Sequence, residues 1–114
     1  MAIQKESEIK IIVGLDENKI PESITWNATD GGVTNEQANA LMMGVWDDKN
    51  SECLRIDLWT KDMLMEDMKR MYHQTFLSMA DGYERATEDT ALAADIREFA
   101  RYFGEKTGLI TPEK

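Results

Sequence analysis

One histidine and one cysteine limit the chemistry available to this chain of 114 residues. A closed zinc site needs four ligands, and His73 and Cys53 alone do not build one. As a general base, His73 would need an orienting carboxylate and a nucleophile within hydrogen-bond reach. Asp81 lies eight positions further on, more than two helical turns away, which is too far for that role. We therefore predict no catalytic residue, no metal site and no cofactor.

A loop near residue 30 superficially resembles two kinds of ligand-binding motif. Asp30-Gly31-Gly32 has the composition of a tight turn but lacks the glycine spacing of a phosphate-binding loop. In a calcium-binding loop over the same segment, two of the acidic positions would fall on Trp26 and Ala28. The sequence therefore predicts neither phosphate nor calcium binding here.

The chain is acidic, with 22 acidic residues, 13 basic residues and a net charge of −9. This charge disfavours binding to nucleic acid and to an anionic membrane surface, because both are negatively charged. The sequence contains no secretory signal and no apolar run long enough to span a bilayer. We expect a cytoplasmic protein with no direct membrane insertion and no nucleic-acid partner.

The length and the hydrophobic content of 42% are typical of one globular domain. We predict a single domain over residues 1–114, in which residues 1–6 and 111–114 are loose tails.

The first half of the chain predicts two strands and a helix. Alternation of apolar and polar residues indicates a β-hairpin formed by Ser7–Leu15 and Ile20–Asn27. Thr34 followed by Gln37 is typical of a capping box, and the apolar spacing after it predicts a helix through about Trp46.

The second half predicts one strand and two helices. In Ser51–Thr87, residues 54–59 alternate with a period of two, as in a half-buried strand, and the spacing from Met65 onward becomes helical. A last helix is predicted over about Thr90–Thr107, with Gly108 after it. The expected fold is a single α+β domain of order β-β-α-β-α-α. Its small, mainly antiparallel sheet has three strands in spatial order 2-1-3, with the helices packed on one face.

The other face of that sheet is our candidate partner-binding surface. It would carry Ile12, Arg55, Asp57 and Trp59, a combination of an aliphatic, an aromatic and two opposite charges. Large aromatic residues beside an arginine are favoured at protein interfaces. The alternative for Trp59 is that the chain bends into the helix there and buries the indole. The partner would be either a second copy, giving a homodimer, or another protein.

Several stretches resemble the gliding motility protein GldC family of Bacteroidetes. They are Asp30–Val33, Leu54–Met63, His73–Asp81 and Glu84–Thr87. The resemblance extends over about residues 7–108, and the run LRIDLWTKDM is its most specific part. It implies a cytoplasmic accessory protein associated with gliding motility, without a known enzymatic activity, and it identifies no functional residues.

Two functions remain open from the sequence. The first is a non-enzymatic protein-interaction module that serves an envelope-associated motility or secretion system. The second is a small-ligand-binding or enzymatic domain with a pocket between sheet and helices, using His73, Tyr72 or Cys53. A deep pocket that converges on those polar groups would favour the second.

Overall fold

The computed structural model describes residues 2–112. Residue 1 and residues 113–114, which belong to the predicted loose tails, lie outside the described residues. The chain divides into two compact units, Met1–Met63 and Leu64–Lys114, and each is described by itself. The first unit contains the strands β1 (Lys10–Leu15), β2 (Pro21–Ala28), β3 (Val33–Ala38), β4 (Ala40–Asp47) and β5 (Glu52–Trp59). The second contains the helices α1 (Met65–Thr87) and α2 (Thr90–Lys106).

The predicted N-terminal hairpin is confirmed. β1 and β2 pair antiparallel, with Ile12 opposite Thr25. The turn between them is held by the Asp16 carboxylate, which accepts the amides of Asn18 over 2.8 Å and Ile20 over 3.0 Å. An aspartate that bonds the backbone two residues further on mimics a turn of the main chain, which is why this residue type starts the connection.

The helix predicted over residues 34–46 is wrong, because that segment forms β3 and β4. Its alanine, leucine and methionine residues favour a helix locally, but their preference amounts to only tenths of a kcal/mol per residue. In the structure, β3 pairs with the second edge of β2, and β4 pairs along its whole length with β5. Both pairings are hairpins between consecutive strands, closed by residues 29–32 and 48–51, and their cross-strand contacts outweigh the weak helical preference.

The strand order also differs from the prediction. The three-stranded sheet has the order β1-β2-β3, so β2 is central, and β4 and β5 form a separate two-stranded sheet. Ile24 explains the central place of β2, because it lies opposite Val13 on one side and Ala38 on the other and is buried. The α+β class and the antiparallel pairing are confirmed, with five strands in two sheets within residues 2–112 in place of three in one.

Hydrogen bonds between the buried Thr60 and the exposed Asn39 connect the two sheets. Asn39 is the single residue between β3 and β4, and Thr60 follows β5. The Thr60 amide donates to the Asn39 carbonyl over 2.8 Å, and its hydroxyl donates to Asn39 Oδ1 over 3.1 Å. Thr60 is 2% exposed, so both of its polar groups find partners where little water can reach them, as buried polar groups must.

The two helices form a helical hairpin, in which Glu88 and Asp89 connect α1 to α2. Glu88 ends α1 in the left-handed conformation, and its amide donates to the Glu84 carbonyl over 2.8 Å. The next residue, Asp89, caps α2 by accepting the Leu92 amide over 3.0 Å. The tight connection brings the apolar stripes of α1 and α2 together, and the most deeply buried residues of this unit are small: Ala80, Ala93 and Ala100.

Aromatic rings form the larger contacts between the two helices. Phe76 of α1 lies edge-on to Phe99 and Phe103 of α2, with ring centroids 5.3 and 5.2 Å apart. Edge-to-face geometry is favourable because the positive edge of one ring meets the negative face of another. The helical spacing from Met65 onward thus predicts an apolar stripe along α1, and the structure shows that α2 covers part of this stripe.

Candidate functional site

The residues considered for catalysis do not form a reactive constellation. His73 is half-buried on α1, and its Nε2 would lie 3.0 Å from a Cβ added at Gly104 of α2. Cys53 is exposed at the start of β5. Among residues 2–112, no group of three or more His, Cys, Asp and Glu side chains is arranged to hold a metal ion. His73 therefore has the position of a packing residue at the helix–helix boundary.

The four predicted partner-binding residues lie in two different sheets. Ile12 lies in β1, whereas Arg55, Asp57 and Trp59 alternate along β5. The prediction that all four share the face of one sheet is therefore wrong, because β5 pairs with β4 and not with the three-stranded sheet. Ile12 and Trp59 are both about half exposed, at 49% and 56%.

Arg55 and Asp57 form an ion pair on one side of β5. Arg55 Nη2 lies 2.9 Å from Asp57 Oδ1, and Nε lies 3.3 Å from Oδ2. The hydrogen bond to Asp57 raises the pKa of Arg55 above its ordinary value, and the charge of Asp57 adds to this effect. Both side chains are substantially exposed, so the pair contributes little to stability by itself. The pair places one positive and one negative charge next to each other on an exposed strand.

The opposite side of the same two strands is uniformly aliphatic, and the sequence reasoning missed it. Antiparallel pairing places Leu41 opposite Leu58, Met43 opposite Ile56 and Val45 opposite Leu54. We call β4 with β5 the ribbon and these six side chains the apolar ribbon face. No apolar–polar alternation marks this face in β4, because Met42, Gly44 and Trp46 lie between its residues, and the helix prediction for residues 34–46 concealed it.

Half of the apolar ribbon face is exposed, while Leu41, Met43 and Leu58 are half-buried. Val45 is 52% exposed, Leu54 50% and Ile56 47%. Two indoles, those of Trp46 and Trp59, are also exposed near opposite ends of the ribbon on its other side. Single exposed apolar residues are ordinary, but a contiguous exposed apolar patch marks an interaction site.

A cavity of about 340 Å³ lies in the first unit. Every residue that lines it is apolar: Ile9, Ile11, Ile24, Trp26, Ala38, Ala40 and Leu41. Pockets for small ligands combine such walls with a few polar groups that orient the ligand. This cavity offers apolar contact without a side chain that performs acid–base or nucleophilic chemistry, and it contains none of Tyr72, His73 and Cys53.

The fold and these surfaces define a small α+β protein of two antiparallel sheets and a helical hairpin, with an exposed apolar strand face as its most distinctive feature. The chain belongs to the gliding motility-associated protein GldC-like family, whose model matches residues 21–109. This match confirms the resemblance found in the sequence. Comparison with curated proteins and comparison with solved structures give no match.

The region matched by the family model includes three of the four candidate partner-binding residues. It begins at the start of β2 and includes the whole ribbon, hence Arg55, Asp57 and Trp59, whereas Ile12 lies before it. Across residues 2–112, neither helix has the length and apolar composition that crossing a bilayer requires.

Proposed function

We propose that this protein is a non-enzymatic, cytoplasmic accessory component of a gliding motility system and that it acts by binding other proteins through the ribbon. The family match supports the association with motility. The observation that carries the interaction mechanism is the apolar ribbon face, on which Val45, Leu54 and Ile56 stay about half exposed.

The energetics favour a bound state for this surface. Burying a whole aliphatic side chain is worth roughly 1.5–3 kcal/mol, so covering the exposed halves of Val45, Leu54 and Ile56 would contribute about 1 kcal/mol each. A two-stranded ribbon is also marginal in water unless another element packs on it. A partner that packs on the ribbon would therefore stabilise it, and the apolar area buried in that contact would contribute to the binding free energy.

The net charge of −9 restricts the class of partner. The net negative charge repels phosphate-rich surfaces. An apolar protein surface would contact the apolar ribbon face, whose six side chains carry no charge. The exposed indoles of Trp46 and Trp59 add the residue type that most often dominates binding energy at protein interfaces.

Quantitative co-purification from a gliding host tests this proposal. The tagged full chain is compared with Ile56→Asp, which places a charge at the centre of the apolar ribbon face, and with Ile3→Asp as a matched control. Ile3 is also exposed but lies far from the ribbon in sequence, in the N-terminal segment. We expect motility components to be enriched with the wild type and Ile3→Asp, and to be lost with Ile56→Asp. Equal enrichment with all three would contradict the ribbon as the binding surface.

A second candidate function follows from the cavity of about 340 Å³, which lies within the size range of small-molecule sites. Its walls fit an apolar ligand such as an acyl chain. Trp26 lines the cavity, so titration with a fatty acid should shift indole fluorescence in a saturable way. A response that is unchanged by Ala38→Trp, which fills the cavity, would exclude this site.

A further inference from the structure

The outer edge of β5 is open to pairing with another strand. Within residues 2–112, β5 pairs with β4 alone, through eight consecutive residue pairs without a bulge. The strand contains no proline and no lysine. Its central charges, Arg55 and Asp57, are paired with each other. Prolines, bulges and charged side chains are the usual protection of exposed edges. The charges on this edge are of opposite sign and two residues apart, so an antiparallel strand of the same sequence can match them, and the edge is suited to accept such a strand.

The register of the ribbon shows which backbone groups are available at that edge. Thr60 donates its amide to the Asn39 carbonyl, one step beyond the pair Ala40↔Trp59. Along an antiparallel strand, the direction of the backbone hydrogen bonds alternates from residue to residue. The residues that direct their N–H and C=O groups away from β4 are therefore Cys53, Arg55, Asp57 and Trp59.

We propose that β5 pairs antiparallel with β5 of a second copy of this chain, about a two-fold axis at Ile56. In this register, Arg55 of each copy lies opposite Asp57 of the other, and these are two of the residues with outward backbone groups. Leu54 lies opposite Leu58, and the two Ile56 side chains meet on the axis. The two apolar ribbon faces then join on one side of a four-stranded sheet, as an isologous contact requires.

Neighbouring registers are disfavoured by charge or by the alternation of faces. An axis at Arg55 would place two guanidinium groups opposite each other, and an axis at Asp57 would do the same with two carboxylates. An axis between two residues would place the aliphatic side chains of one copy beside the charged side chains of the other. Axes at Leu54 or Leu58 avoid both problems but place Arg55 opposite Cys53 or Asp57 opposite Trp59, so the axis at Ile56 is the one that pairs Arg55 with Asp57.

This inference rests on the proposed function, in which the ribbon is the interaction surface, and it names a second copy as the occupant. Strand addition through one edge buries a modest area, so we expect a dissociation constant of about micromolar order. Purified full-length protein is sufficient for the test. Failure of dimerisation can therefore be distinguished from failure to bind motility components in cells.

Sedimentation equilibrium of the purified chain should give a mass of twice 13.0 kDa at high micromolar concentration. Arg55→Glu and Asp57→Arg should each weaken dimerisation about ten- to a hundredfold, because each creates two like-charge pairs across the axis. Asp57→Arg lowers the magnitude of the net charge from −9 to −7, so general repulsion predicts the opposite effect. The double variant exchanges the two charges and should restore the dimer. A wild type that stays monomeric, or a dimer insensitive to both single variants, would overturn the proposal.

Disulfide trapping tests the position of the axis in a Cys53→Ser background. Residues directly opposite each other lie about 4.5–5.5 Å apart at Cα, within the range that a disulfide spans. Ile56→Cys should therefore form a covalent dimer under mild oxidation. Leu54→Cys is the matched control on the same face, and its two thiols would be about 13 Å apart in this register. Equal cross-linking of both variants, or cross-linking of Leu54→Cys alone, would contradict the register.

Discussion

Truncation of Phe76 tests how the helical hairpin is held together. Phe76 is half-buried, and its ring packs edge-on against Phe99 and Phe103 at 5.3 and 5.2 Å. Removing a fully buried phenylalanine costs roughly 3–5 kcal/mol. Partial exposure lowers that figure, while the loss of two aromatic contacts, each worth about 0.5–1.5 kcal/mol, keeps it substantial. We expect Phe76→Ala to lower the free energy of unfolding by about 2–4 kcal/mol.

Urea denaturation followed by circular dichroism at 222 nm measures this loss, because the signal reports mainly on the helices. Tyr102→Ala is the matched control, since Tyr102 is an aromatic residue of α2 that is 52% exposed; its loss should stay under about 1 kcal/mol. If Phe76→Ala costs no more than Tyr102→Ala, the ring cluster does not hold α1 and α2 together, and our account of the hairpin is wrong.

Three further predictions concern polar contacts. Thr60→Val should cost about 0.5–1.5 kcal/mol in urea titrations, because it removes the hydrogen bond from the Thr60 hydroxyl to the Asn39 side chain; no loss would mean that this bond does not help to join the sheets. The pKa of Asp16 is lowered from 3.8, chiefly by its hydrogen bond to Lys61. The stability that the ionised Asp16 carboxylate contributes is therefore present above about pH 4 and lost as the pH falls through the lowered pKa. Asp16→Asn should lower the melting temperature at pH 7 and not near pH 2. Asp89→Ala should cost about 0.5–2 kcal/mol by removing the cap of α2, and an unchanged urea midpoint would contradict that role.

The sequence predicts the elements whose signals are local. Alternation identified β1, β2 and β5, and the helical spacing identified α1 and α2, with bounds close to those observed. Asp16 marked the first turn because its carboxylate bonds the backbone of the turn itself. In each case the residues that determine the structure are near neighbours in the chain.

The strands that the sequence reasoning missed, β3 and β4, each form a hairpin with a neighbouring strand of the chain. β3 is specified by its pairing with β2, and β4 by its pairing with β5. A segment containing Glu36, Gln37, Ala38 and Leu41 has an acceptable helical pattern, and the helix prediction left the two flanking strands, β2 and β5, without the hairpin partners they have in the structure. The incorrect helix prediction for residues 34–46 also left part of the candidate site unrecognised. Arg55, Asp57 and Trp59 were found on β5, but half of the apolar ribbon face lies on β4.

Colony spreading of a gliding host that lacks this protein tests the central claim most directly. Complementing copies carry the wild type, Ile56→Asp or the control Ile3→Asp, with equal protein levels verified by immunoblot and folding verified by circular dichroism. Our account predicts that the wild type and Ile3→Asp restore spreading and that Ile56→Asp does not. Full restoration by a folded Ile56→Asp protein would contradict the claim that it serves motility through the ribbon.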